Sequence, residues 1–119
     1  MAWTFDGLHQ AEKSGWIKNC YIADLSGGDT ILAAHTDATK RIALDSITIY
    51  SGAAIGVTIG AGLTGAALTA VLLGVFSMAA NSYVQLNFPR PLLVAANTAL
   101  CADATGAGAV CIVAQGHYV

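Results

Sequence analysis

Short stretches in which apolar and polar residues alternate recur along the chain and predict β-strands. Between residues 55 and 60, isoleucine and valine alternate with glycine and threonine, and residues 83–88 show the same rhythm. The alternation slips by one residue between Asp45 and Ile47, where we expect a β-bulge. Glycine, asparagine, serine and proline separate these stretches at intervals of roughly 8–17 residues, a spacing typical of two-sheet sandwiches.

The pattern predicts an all-β fold, namely a two-sheet antiparallel β-sandwich or jelly roll of about eight strands. A chain of 119 residues makes one such domain. We expect the sandwich over residues 18–119, after an N-terminal arm formed by residues 1–17. The strands are expected near residues 18–23, 29–34, 41–50, 54–60, 68–76, 83–88, 98–104 and 108–118.

One segment also allows a helical interpretation. Ala66–Ala80 is rich in alanine, leucine and methionine, which favour helices. The longer segment Gly52–Ala80 could cross a bilayer as a helix, as in a small holin-like membrane protein. Its nearest flanking charges are Asp45 and Arg90, without the cationic cluster typical of membrane helices. We therefore favour strands and do not expect a membrane partner.

Charge is distributed very unevenly. No Asp, Glu, Lys or Arg occurs in the forty-four residues from Ser46 to Pro89, and charged residues make up 10% of the chain. Soluble domains usually carry roughly 25%. The shortage predicts that copies of the chain, or a partner, cover part of its surface. With a net charge of −2 and no basic run longer than Lys40–Arg41, we expect no nucleic-acid partner.

The motif Gly60–Gly65 matches the G-x-G-x-x-G pattern of dinucleotide-binding loops. Such loops also need an acidic residue about 20 positions later to hold the ribose. The next acidic residue here is Asp103. We interpret the glycines as a turn between strands and expect no cofactor.

No catalytic or metal-binding motif is evident. His9, His35 and His117 lack the paired spacing of metal ligands. Ser46, His35 and Asp45 could be assembled into a hydroxyl–histidine–acid set, but no nucleophile elbow supports this arrangement. We therefore predict that the protein is not an enzyme and holds no metal.

The three cysteines also lack the C-x-x-C spacing of zinc or redox sites. The N-terminus lacks the basic-then-apolar order of a signal peptide, so we expect folding in a reducing cytoplasm and buried free thiols. If residues 99–104 and 108–113 formed a hairpin, Cys101 and Cys111 would lie opposite each other.

The N-terminal arm is rich in large apolar side chains. Trp3, Phe5, Leu8 and Trp16 stand among polar and charged neighbours. They could cap one end of the sandwich. Alternatively they dock the arm onto a neighbouring molecule, because aromatic anchors dominate interface energetics. We take these four residues as candidate docking residues.

Residues 41–119 resemble the small structural proteins of tailed bacteriophages. The resemblance is carried by RIALDSITIYSG, IGVTIG and the long C-terminal run that begins VQLNFPRPLL. Four features of the pattern recur: an aromatic–proline strand end, a Leu-Val-Ala-Asn-Thr step, a Gly-Ala hairpin, and a last strand that closes on glycine and an aromatic. They lie at Phe88–Pro89, Leu92–Leu100, Thr105–Ala109 and Gly116–Tyr118.

The resemblance implies a non-enzymatic jelly-roll subunit that decorates a capsid, assembled in the host cytoplasm and located in the virion. Such subunits are commonly homotrimers whose arm binds the major capsid protein or another virion component. An alternative is a tail or fibre module of the same fold that binds a receptor. Aromatic residues at exposed loop tips would support that alternative, and the candidates outside the arm are Tyr50, Tyr83 and Tyr118.

Overall fold

A computed structural model describes residues 15–34, 39–62 and 68–119 of the chain. These residues form eight β-strands at the predicted positions, with ends that differ by a few residues. The first strand begins at Gly15, so Trp16 belongs to it and not to the arm. The strands are β1 Gly15–Ile22, β2 Asp29–Leu32, β3 Ile42–Ser51, β4 Ile55–Gly62, β5 Leu68–Met78, β6 Ser82–Leu93, β7 Ala99–Ala104 and β8 Val110–Tyr118.

The strands pair antiparallel in two four-stranded sheets, which confirms the predicted fold class. The strand orders are β1-β8-β3-β6 and β2-β7-β4-β5. Each strand in the first half of the chain pairs with its counterpart in the second half: β1 with β8, β2 with β7, β3 with β6, and β4 with β5. This nested order is that of a jelly roll, in which one long hairpin folds over itself into two sheets.

The core lies between the two sheets and is built from the apolar half of each alternating pattern. Because successive side chains of a strand point to opposite faces, every second residue enters the core and its neighbours face outward. Ile47 and Ile49 of β3 illustrate this, since both are fully buried while Tyr50 is exposed. Other large, fully buried side chains come from both sheets: Ile31, Ile42, Leu44, Val57, Ile59, Leu100, Val110 and Ile112.

The predicted bulge in β3 is confirmed. Pairing of β3 with both β6 and β8 shifts register between Leu44 and Ser46. The extra residue, Asp45, reverses the phase of the strand, so that Leu44 and Ile47 both face the core.

The helical interpretation of Gly52–Ala80 is wrong. Its described residues lie mainly in β4 and β5. The described part of the chain contains no helix that is long and apolar enough to cross a membrane. Gly60 and Gly62 lie within β4, whereas the rest of the glycine motif falls outside the described residues. Since β4 and β5 are antiparallel neighbours, this segment does not have the parallel β-α-β arrangement of a dinucleotide-binding unit.

The hairpin that would place Cys101 opposite Cys111 does not form. The connection Thr105–Ala109 crosses from one sheet to the other, so β7 and β8 do not form a hairpin. Cys101 is paired with Gly60 of β4, and Cys111 with Tyr50 of β3. A glycine-rich connection between two apolar stretches suits either a hairpin or a crossing, and tertiary packing selects the crossing.

Candidate functional site

Three of the four predicted docking residues, Trp3, Phe5 and Leu8, lie outside the described residues. Trp16 lies in β1, where it is partly buried and packs against the core. Its ring centroid is 6.4 Å from that of Tyr118, with 49° between the ring planes. Packing accounts for Trp16, and docking through the four residues stays a prediction.

An open depression of about 470 Å³ lies beside Trp16, between the ends of β1 and β8. The indole Nε1 is buried and has no hydrogen-bond partner among the described residues. None of the described residues that line the depression carries a charge. Its lining residues are Gly15, Trp16, Ile17, Gln115 and Gly116.

One histidine–carboxylate pair lies on the same sheet. His117 Nδ1 is 2.8 Å from Oδ2 of Asp45, the extra residue of the β3 bulge. His35 and His9 fall outside the described residues, so Asp45 is seen with His117 and not in the hydroxyl–histidine–acid set considered above. The described residues contain no group of three or more His, Cys, Asp or Glu side chains placed to hold a metal ion.

The three cysteines are free thiols in different environments. Cys101 is buried, whereas Cys20 and Cys111 are partly exposed. Burial raises the pKa of the Cys101 thiol and also that of Cys20, where the nearby carboxylate of Asp29 adds to the effect.

We expect these thiols to differ in reactivity. At pH 8, iodoacetamide should modify Cys20 of the folded protein well before Cys101, because Cys20 is partly exposed whereas the Cys101 thiol is fully buried and out of reach of the reagent. Mass spectrometry of peptides taken at successive times measures the order. In urea all three should react at similar rates, and early labelling of Cys101 without urea would contradict the described burial.

The outward side of the sheet β1-β8-β3-β6 carries a continuous exposed surface, which we call the tyrosine face. The strand register aligns its residues in three rows across all four strands. The row nearest one end contains three tyrosines and one cysteine. In strand order the rows are Tyr21, Cys111, Tyr50 and Tyr83; Asn19, Val113, Thr48 and Gln85; and Ile17, Gln115, Ser46 and Asn87.

None of these twelve residues carries a charge. Tyr21 and Tyr83 are 72% and 70% exposed, and Tyr50, which lies between them, is 43% exposed. The Tyr50 hydroxyl donates a hydrogen bond to Asn81 Oδ1 over 3.2 Å, which holds that ring in place. The pair Asp45–His117 lies beyond the third row, at the end of the face opposite the tyrosines.

The composition of the tyrosine face suits contact with another macromolecule. The buried centres of protein interfaces are enriched in tyrosine and depleted in lysine, glutamate and aspartate. Amide and hydroxyl groups between the rings both donate and accept hydrogen bonds. A surface of this kind loses its water at lower cost than a charged one when its amides and hydroxyls find hydrogen-bond partners in the contact.

Two of the tyrosines, Tyr50 and Tyr83, were candidates from the sequence. They were expected at loop tips, but they lie directly opposite each other on the strands β3 and β6. Tyr118 points to the inner side, where it packs near Trp16. Tyr21 was missed, although a signal exists: β1 carries apolar side chains on both of its faces, and only one face can enter the core.

No protein-family model matches the chain, and no curated protein matches it. The resemblance to phage structural proteins rests on the residues quoted for it.

Proposed function

We propose that this protein is a virion structural subunit, a capsid decoration or cement protein that binds a viral lattice and stabilises it as a homo-oligomer. The observation that supports this most is the tyrosine face. It is too extensive and too poor in charge for a surface that serves only to keep a monomer in solution. In an accessory subunit, such a face would be covered by a neighbouring molecule when the particle assembles.

The fold supports the proposal by analogy. Jelly rolls form viral capsid and lectin domains, and fold alone does not assign function. The nested antiparallel strands give a rigid body, with main-chain pairing throughout both sheets. Rigidity favours a lattice protein, because little conformational entropy is then lost on binding.

The proposed lattice contact is the N-terminal arm, with Trp3, Phe5 and Leu8 as anchors. The arm joins β1 at Gly15, and β1 is an edge strand of its sheet. An arm that leaves from an edge can reach a neighbouring molecule without crossing the sandwich. Many weak arm contacts, linked through an oligomer, would add to a firm attachment by avidity.

A second candidate function is receptor binding, favoured by the adjacent rings of Tyr50 and Tyr83. Both rings lie on a flat, uncharged surface beside the amides of Asn81 and Gln85. Flat rings flanked by amides suit a carbohydrate, which offers apolar ring faces and hydroxyl groups. A glycan array probed with the wild-type chain tests this candidate: binding that Tyr83→Ser abolishes would support it.

The proposed function is tested by sedimentation of the native chain. A lysate of cells that naturally produce the protein is separated on a density gradient, and the chain is followed by mass spectrometry. We expect it in fractions that contain capsid-sized particles and a major capsid protein. Its confinement to the low-density fractions would overturn the proposal.

The arm contact is tested with two double variants added to particles stripped of the chain. Trp3→Ser/Phe5→Ser should bind the particles roughly 100-fold more weakly, since two aromatic anchors are removed. Val71→Ser/Val75→Ser is the matched control: both valines are about 60% exposed, on the other sheet. Unchanged binding of the arm variant would show that the arm is not the contact.

A further inference from the structure

We propose that the tyrosine face packs against the tyrosine face of a second copy of this chain, in a two-fold symmetric dimer. The inference deepens the proposed function, and it rests on one part of that function, namely that the subunit acts as a homo-oligomer. It replaces the expected trimer with a dimer, because a contact between two identical faces closes at two copies.

The hydrogen-bonding chemistry of the face favours a second copy over an unrelated partner. In a two-fold contact every group meets a group of the same face, and a charge near the axis meets its own copy. The tyrosine face contains amides and hydroxyls, which donate and accept and can therefore pair with copies of themselves. Its polar residues, other than the tyrosines, are Asn19, Ser46, Thr48, Gln85, Asn87 and Gln115.

The exposed area is of the size that a dimer needs. A tyrosine side chain offers on the order of 200 Å², so the exposed fractions of Tyr21, Tyr50 and Tyr83 amount to roughly 370 Å². A stable interface buries about 800 Å² from each partner. Three tyrosines supply almost half of that area, and the nine other residues of the face, including the exposed Ile17, add to it.

The outer face of the other sheet lacks these properties. Its strands present Gly56, Thr58 and Gly60 beside Asp103, which pairs with Thr58 across the strands. Packing that face on its own copy would remove water from the Asp103 carboxylate, which is costly, and its glycines offer no side chain to bury. Its exposed valines, Val71 and Val75, lie on the edge strand β5.

The symmetry places the two-fold axis. An axis through a self-complementary patch passes through the middle of that patch. The middle row of the tyrosine face runs Asn19, Val113, Thr48, Gln85, so the centre lies between Val113 and Thr48. Val113 of one copy therefore lies close to Val113 of the other, and a charged residue at this position would be repelled by the same residue of the second copy.

Light scattering coupled to size-exclusion chromatography of the purified full chain tests the dimer. The wild type should elute with twice its mass of 12.1 kDa. Val113→Lys and Val113→Glu should each weaken dimerisation roughly 100-fold or more, since like charges then face each other. Mixed in equal amounts, the two variants should again give a dimer, because opposite charges meet at the axis.

Controls separate folding from association. Val71→Lys introduces the same charge at an exposed valine of the other sheet and should leave the dimer intact. Tyr83→Arg, on an edge strand, provides a second disruptive variant, and circular dichroism verifies that each variant keeps its β-sheet spectrum. A wild-type monomer or trimer, a dimer that survives Val113→Lys, or a mixture that stays monomeric would each overturn the proposed interface.

The outcomes for the dimer and for the virion role are separate. A chain that sediments with particles but is a monomer overturns the interface and leaves the virion role. A dimer through the tyrosine face that is absent from particles supports the interface and overturns the virion role.

Discussion

Gly116→Ala is expected to lower the free energy of unfolding by about 3 kcal/mol or more, an effect at the upper end of those known for overpacking. A Cβ atom on Gly116 would lie 2.1 Å from the Ala43 carbonyl oxygen and 2.6 Å from Cζ2 of Trp16. Neither neighbour can move freely, because the Ala43 carbonyl belongs to the main chain of the adjacent strand β3 and the Trp16 ring packs against the core. The alanine therefore has to separate β8 from β3 or displace the indole.

Urea denaturation followed by circular dichroism measures this loss. Gly52→Ala is the matched control, because the nearest atom to a Cβ there is the Ala109 carbonyl oxygen at 3.6 Å, an ordinary contact. The control should change stability by no more than about 0.5 kcal/mol. Equal midpoints for Gly116→Ala and the wild type would show that β8 and β3 do not approach each other as described.

Leu100→Ala is expected to lower the free energy of unfolding by about 2–5 kcal/mol. Leu100 lies on β7, an internal strand of its sheet, and its side chain is fully buried in the core between the two sheets. Truncation removes one methine and two methyl groups and leaves a cavity that the surrounding strands cannot fill without breaking their pairing.

Leu93→Ala makes the same chemical change at a side chain that is 42% exposed, near the end of β6. Its cost should be below about 1 kcal/mol, because less apolar area returns to water and no closed cavity forms. Thermal and urea unfolding of the two variants give the comparison. Similar losses at both positions would mean that Leu100 is not at the centre of the core.

The strands could be predicted from the sequence because strand periodicity is local. Side chains at every second position share a face, so the alternation in residues 55–60 and 83–88 already separates core from surface. The slip at Asp45 predicted the bulge for the same reason, since an inserted residue reverses the phase of everything after it. Even β5, whose composition favours a helix, lies within two residues of its predicted bounds.

The sites were predicted less well, because they depend on which strands become neighbours. Trp16 seemed part of an arm until pairing of β1 with β8 placed its ring over Gly116. Cys101 and Cys111 are close in sequence, yet their strands enter different sheets. Local residues do not distinguish a hairpin from a crossing, so the sequence left open whether the two cysteines lie opposite each other.

By itself the sequence determined the class of fold, the positions of the strands, the bulge and the shortage of charge between Ser46 and Pro89. Each of these depends on residues next to one another in the chain. Only the tertiary structure decided the jelly-roll order of the sheets and the alignment of Tyr21, Tyr50 and Tyr83 in one exposed row. That row joins distant segments through long-range strand pairing, and the register of such pairing is set by burial of the whole core and not by any local pattern.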